Sequence, residues 1–176
     1  MADLLSIARE LSEAGDDAAL PVDQWHPERC GAMDLTIRAD GTWVHEGSPI
    51  TRAPLVRLFS RVLRRDGDEH VLVTPAERIA ITVEDAPFLV VDTDRDDGVL
   101  VARTNVGDTV RIGPDHPIEM RESPALGVTL PYVRVRGGLE ARFDRGAYYR
   151  LVDQAERADG RLVVRSGGAT FALGTA

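Results

Sequence analysis

The chain has 176 residues, 43% hydrophobic and 28% charged, the balance of a folded globular protein, and its length lies between one comfortable domain and two small lobes. Its net charge of −8 argues against a nucleic-acid backbone as the main partner, because duplex binding is driven by basic patches that release counterions. The longest apolar runs, such as Phe88 to Val91, are too short to cross a bilayer, and the absence of lysine excludes Schiff-base catalysis and a P-loop lysine.

Met1-Ala2-Asp3-Leu4-Leu5 lacks a basic segment followed by an apolar core, so it does not read as a signal peptide. The lone Cys30 cannot form an internal disulfide, which agrees with a reducing compartment, and a cytoplasmic location is expected. Residues 3–14 carry Leu4, Leu5, Ala8 and Leu11 at helical spacing behind a capping Asp3, and break at Gly15-Asp16-Asp17. Pro21 to Gly31 holds two prolines and no clean period, the mark of an ordered irregular loop. Leu35 and Ile37 alternate with polar neighbours, Asp40-Gly41 supplies a turn, and Thr42 to His45 returns as the partner strand.

The clearest helix follows Gly47-Ser48-Pro49-Ile50. Thr51 can cap it, Pro54 fits its first turn, and Leu55, Val56, Leu58, Phe59, Val62 and Leu63 build one apolar face. Arg57, Arg61, Arg64 and Arg65 lie opposite, and Asp66-Gly67 stops it. A strand pair is expected at His70–Val73 and Arg78–Val83, turning through Thr74-Pro75-Ala76-Glu77. Strands are then expected at 88–92, 99–103, 109–112, 118–121, 132–136 and 139–143, with turns at Asp97-Gly98, Gly107-Asp108, Gly113-Pro114 and Gly137-Gly138. A second helix over about 146–158 ends at Asp159-Gly160, and a hairpin, 162–165 with 169–173, closes the chain over Ser166-Gly167-Gly168.

The two long helices align with each other when Arg52 is set on Arg145. Arg57 then falls on Arg150, Leu58 on Leu151, Arg64 on Arg157, Asp66 on Asp159 and Gly67 on Gly160. A hairpin precedes and follows each helix. Element order, helix length and the Asp-Gly stop agree together, which points to duplication of one hairpin–helix–hairpin unit. The expected class is therefore α+β with antiparallel sheets. An N-terminal helix and linker (1–20) precede an N-terminal repeat lobe (21–84) and a C-terminal repeat lobe (85–176). The junction of two such lobes is a natural cleft for a ligand.

Trp25-His26-Pro27, Cys30-Gly31, Asp40-Gly41-Thr42-Trp43, Glu46-Gly47-Ser48-Pro49-Ile50-Thr51-Arg52 and Leu55-Val56-Arg57-Leu58-Phe59 resemble the bacterial family catalogued as domain of unknown function 1285. Thr74-Pro75-Ala76-Glu77, Asp85-Ala86-Pro87-Phe88 and Gly138-Leu139-Glu140-Ala141 continue the match, over about residues 20–175. The resemblance implies a duplicated α+β fold with a C-terminal lobe superficially like pleckstrin-homology domains. It also implies a ligand site between the lobes and a signalling role, with no established activity.

His26, Cys30, Asp34 and His45 are metal-ligand types, but Pro27 and Gly31 speak against a helix that would gather them, and only one thiol is present. The plainer account is a loop pinned by a buried Cys30 and a capping Asp34. Asp92, Asp94, Asp96 and Asp97 before Gly98 imitate a calcium loop, yet the glycine falls one place late and Arg103 stands where a bidentate glutamate is needed. No Gly-x-Ser-x-Gly, His-Glu-x-x-His or Gly-x-Gly-x-x-Gly occurs.

The set that points to binding is polar and aromatic. Trp25 and Trp43 sit beside loops as stacking walls. Arg134 and Arg136 alternate along one strand, and with Arg52 and Arg145 at the helix starts they could fork a carboxylate or phosphate. Glu46, Asp85, Glu77 and Glu140 are possible counter-ions, and internal pairing of these acids with the arginines is the structural alternative. The expected function is a non-catalytic small-ligand-binding or signalling adaptor that takes a small anionic ligand or a protein partner, without nucleic acid, membrane, metal or cofactor. The competing readings are an enzyme using Asp85, Glu46 or His26 as acid or base, and a protein–protein interaction module.

Overall fold

A computed structural model describes residues 3–15 and 19–176. The chain divides into two compact units, the first running to Arg38 and over Thr42–Glu84, the second comprising Ala39–Gly41 with Asp85–Ala176.

In the first unit helix α1 (Leu4–Glu13) starts at Asp3, whose Oδ1 accepts the Leu5 amide at 3.2 Å. Its buried positions are Leu4, Ile7 and Leu11, one stripe at i, i+3 and i+7, whereas Leu5 lies about 100° round the helix from Leu4 and is 73% exposed. Gly15 is left-handed (φ +84°), and the rest of the expected break, Asp16-Asp17, falls outside the described residues. The expected irregular loop contains one 3-10 turn (Val22–Gln24), and a strand, β1 (Arg29–Ile37), begins inside it. That half of β1 pairs in parallel with β6 (Glu77–Val83), from Arg29↔Glu77 to Ala32↔Ala80, before the register shifts. Its partner is remote in sequence and its residues 29–32 are all exposed, so no alternation announces it.

The hairpin β1–β2 (Trp43–His45) is as expected, and β3 (Ser48–Pro49) adds to it. Helix α2 spans only Ala53–Ser60, shorter than expected, with Arg52 rather than Thr51 as its uncapped N-cap. The chain then enters β4 (Leu63–Asp66), which pairs with β5 (Glu69–Val73), Leu63 opposite Leu72. Helical continuation would leave Val62 and Leu63 stacked on a helix face; as a strand residue Leu63 is wholly buried. The result is one six-stranded mixed sheet, β3-β2-β1-β6-β5-β4, with Leu35, Ile37, Trp43, Phe59, Val62, Leu72 and Ile79 in its core.

The second unit holds a six-stranded sheet ordered β10-β11-β12-β7-β8-β9. Its strands are β7 (Phe88–Asp96), β8 (Val99–Thr104), β9 (Thr109–Arg111), β10 (Ile118–Glu122), β11 (Thr129–Arg136) and β12 (Leu139–Phe143). Strand β12 runs parallel to β7, Ala141 beside Phe88, so this sheet too is mixed where antiparallel pairing was expected throughout. Helix α3 (Arg145–Asp153) is capped by Asp144, whose Oδ1 accepts the Ala147 amide at 2.7 Å, and buries Ala147 and Leu151 against β7. It too ends early, because Glu156–Ala158 is a strand, β13, of a three-stranded meander with β14 (Arg161–Ser166) and β15 (Ala169–Thr175).

The Asp-Gly pair at 159–160 is therefore a hairpin turn and not a helix stop. Both residues have positive φ (+49° and +73°), as do Asp97 and Gly98 (+49° and +78°), the signature of a type I′ turn. In each unit a helix is followed by a three-stranded antiparallel meander, and aligning Arg52 on Arg145 also brings β4, β5 and β6 onto β13, β14 and β15. Among the described residues the architecture is mixed α+β, mostly sheet with three α-helices, in two units of similar element order.

The meander of the second unit is fastened by a buried serine. Ser166 Oγ accepts the Leu100 amide at 2.8 Å and donates to the Ile112 carbonyl at 2.7 Å, with 3% of the residue exposed. Ser166→Ala leaves both backbone groups unpaired and is expected to cost about 1–3 kcal/mol in urea denaturation. An unchanged midpoint would show that the bridge contributes nothing net.

Candidate functional site

The residues singled out from sequence fall in both units. In the first, Trp25 follows the 3-10 turn and is half-buried, and its carbonyl accepts Arg64 Nη1 at 2.8 Å. Arg64 also reaches the Val22 carbonyl at 2.8 Å and grips both oxygens of Asp66 at 2.7 and 2.9 Å, while Arg78 Nε shares Asp66 Oδ2 at 2.8 Å. Arg64 thus ties the loop bearing Trp25 to β4. The Arg64 hydrogen bonds, followed by those of Arg78, outweigh burial and bring the Asp66 carboxyl from the ordinary 3.8 down to about 2.

Trp43 is 1% exposed and stacks on Phe59 with centroids 6.5 Å apart, so it is core rather than an open wall; its indole Nε1 is buried without a hydrogen-bond partner. Glu46 is exposed in the β2–β3 turn at φ +48°, and Arg52 is exposed at the start of α2. His26, Cys30 and Asp34 are exposed, so neither a buried Cys30 nor a capping Asp34 pins this segment: Cys30 and Asp34 are strand residues of β1. Among the described residues no group of three His, Cys, Asp or Glu side chains is placed to hold a metal ion.

In the second unit Asp85, with 1% of its side chain exposed, accepts the Tyr132 hydroxyl at 2.6 Å on Oδ1. Its Oδ2 lies 2.8 Å from Arg142 Nε, an ion pair whose angle falls outside hydrogen-bond geometry. Arg142 also donates to the Phe143 and Ala39 carbonyls. Arg121 lies 3.8 Å above the Tyr132 ring and grips both oxygens of Glu140. Burial, and then the bond to Asp85, raise the Tyr132 phenol above its ordinary value.

The arginines expected to form one fork are separated in role. A bulge breaks the β11–β12 ladder between Arg134 and Arg136. Arg136 lies 3.5 Å from Asp108 Oδ2 and 5.2 Å over Phe88. Arg134 is exposed opposite Glu140, and Arg145 donates to the Tyr149 hydroxyl at 3.2 Å. Glu140 and Asp85 are engaged by Arg121 and Arg142, two arginines absent from the sequence-derived set.

A polar hollow lies elsewhere in the second unit. It is about 370 Å³, lined by Arg95, Gln154, Glu156, Arg165, Thr170 and the turn Gly167-Gly168. The meander forms one wall, and the turn can press close because Gly167 (φ +57°) would place any Cβ 2.9 Å from the Ile112 carbonyl oxygen. None of the sequence-derived candidates lines it. The signals available were the Gly167-Gly168 turn and an arginine set among the aspartates of 92–97, each readable only as hairpin chemistry.

Residues 20–86 match the family described as domain of unknown function (DUF1285), N-terminal domain, and residues 87–173 match its C-terminal domain. A DUF1285 family protein from Silicibacter pomeroyi DSS-3 has a crystal structure similar to this chain: 43% identity, TM-score 0.90, covering 99% of this chain and 96% of that one. A second, from Shewanella baltica OS155, is 30% identical with TM-score 0.56, covering 68% of this chain and 90% of that one. No curated protein matches at a significant level.

Two expectations follow from the ionisable clusters. The depressed Asp66 contributes stability that is complete above about pH 4 and lost as pH falls toward 2, so Asp66→Asn should flatten the acid limb of a stability–pH curve; an identical limb would refute it. The raised Tyr132 favours the folded state below pH 10 and ceases to as pH climbs through its folded value. Ultraviolet titration should show one tyrosine ionising late, missing in Tyr132→Phe, which should also cost about 1.5–3 kcal/mol as a bond to a charged acceptor.

Proposed function

The chain belongs to the DUF1285 family, and on that premise we propose that it is a non-catalytic small-ligand-binding or signalling adaptor protein of the bacterial cytoplasm, with the polar hollow of its second unit as the binding site. The observation that carries this reading is the hollow itself. At about 370 Å³ it has the size of a small-molecule site, and fixed polar groups converge on it. The shifted groups lend no support to catalysis: Asp66, Arg78, Arg121 and Tyr132 all spend their polarity on internal partners. Asp85, the buried carboxylate put forward as acid or base, is occupied by Tyr132 and Arg142.

We read the two units as copies of one ancestral segment, supported by the shared helix-plus-meander order and the common residue offset. The likeness of the second unit to pleckstrin-homology domains stays part of the proposal, supported by its strand-rich sheet followed by a helix. The interaction-module reading has one observation in its favour: Leu126 and Val128 are 49% and 51% exposed in the segment joining β10 to β11.

A thermal-shift panel of nucleotides, organic acids, sugars and phosphates tests the proposal. A ligand at about 100 times its Kd should raise Tm by roughly 5–10 °C, saturably. Thr170→Trp, which fills the hollow from an exposed position, should abolish that rise and leave the unliganded Tm in place. A flat panel, or a rise indifferent to Thr170→Trp, would remove the hollow as the site; loss of partner retention in Leu126→Ser would then favour the interaction module.

A further inference from the structure

Resting on the hollow as the binding site, we infer that its ligand is a small molecule bearing a carboxylate or phosphate, anchored by Arg95. The Arg95 guanidinium is clamped by neutral oxygens. Nε donates to Gln154 Oε1 at 3.0 Å, Nη1 to the Gly98 carbonyl at 2.9 Å, and both terminal nitrogens to the Arg165 carbonyl at 3.2 Å. These bonds fix the group's position and neutralise none of its charge. Of the five N–H donors of an arginine they use four, leaving one on Nη2 for a ligand.

The acids flanking Arg95 are turned to other work. Asp94 Oδ1 accepts the Arg95 backbone amide at 2.8 Å, and Asp96 pairs with Arg111 at 2.6 Å. Arg95 forms no ion pair among the described residues. A held, uncompensated cation on the wall of a polar hollow is a preorganised anion anchor, because the cost of ordering it has been met by folding.

A second cation stands at the same wall. Arg165 Nη1 contacts Glu156 Oε1 at 3.2 Å, with the side chains 63% and 53% exposed. Such an exposed pair is weak, so an incoming anion can take the place of Glu156 on Arg165 at little cost. The hollow then offers one fixed and one exchangeable guanidinium, with the Thr170 hydroxyl beside them. The net charge of −8 opposes anions at long range, but screening at physiological salt confines that field to roughly 8 Å.

The test is nitrogen–proton correlation spectroscopy of the whole chain, following Arg95 Nε–H and the amides of Gly167, Gly168 and Thr170. Citrate, inorganic phosphate and glucose are titrated at constant ionic strength. Citrate or phosphate should move these signals saturably while glucose does not; Arg95→Gln should weaken binding about tenfold or more, and Arg165→Gln less. The wild-type Arg95 Nε–H signal reports on the guanidinium whose free Nη2–H makes the contact, so a variant that folds poorly leaves the test intact. If glucose binds there and the anions do not, or if Arg95→Gln binds anions like the wild type, the anion class falls and the hollow stands. If no probe moves any of these signals, the hollow and the anion class fall together.

Discussion

A carboxylate with 1% of its side chain exposed must be answered inside the protein, and the sheet of the second unit is arranged around the answer to Asp85. Tyr132 answers from β11 and Arg142 from β12, and both strands must lie in register for a hydroxyl and a guanidinium to arrive at opposite oxygens. Arg142 is committed in turn to two carbonyls, and Tyr132 carries Arg121 on its ring, which draws in β10 and Glu140. Removing Arg142 leaves the buried carboxylate without a cation, and removing the Tyr132 hydroxyl leaves one of its oxygens without a hydrogen bond, so either loss costs more than the intact network adds.

This network consumes the groups that otherwise invite a catalytic reading. An acid beside a tyrosine and an arginine has the chemistry of a proton-transfer site, but Tyr132 and Arg142 are both engaged by internal partners. The hollow flanked by the meander has the opposite character. Its Arg95 is held by neutral oxygens and forms no ion pair among the described residues, and a turn of two glycines lines it.

Much of the fold was legible in the sequence because it is built from local hairpins. Turns such as Asp97-Gly98 and Ser166-Gly167-Gly168 declare themselves through residues that tolerate positive φ, and the strands around them alternate. Two kinds of element escaped. The first half of β1 pairs with β6 across the unit, and no local pattern encodes such a partner. Strand β4 continues the apolar rhythm of the helix before it, so Leu63 fits a helix face as well as a strand, and β13, Glu-Arg-Ala, is too short and polar to show an alternation of its own. The site was less legible. Asp85 and Glu140 were visible as acids needing partners, but which arginine each would meet depends on register, and Trp43 reads as a loop-side aromatic until β1 and β2 close over it. Arg95 lies in a run of aspartates, where an ion pair is the natural guess and the observed neutral oxygens are not.

Each unit contains one parallel pairing, β1 with β6 and β12 with β7, and these govern how the chain reaches its structure. The paired strands are roughly fifty residues apart, so a long loop must close before the contact repays it, whereas the hairpins between them zip locally. In each unit that parallel contact is therefore the strand pairing with the largest loop-closure cost. On an emerging chain, the first sheet has no centre until residue 83 is available, and the short hairpins already made are what keep its strand edges occupied in the interval.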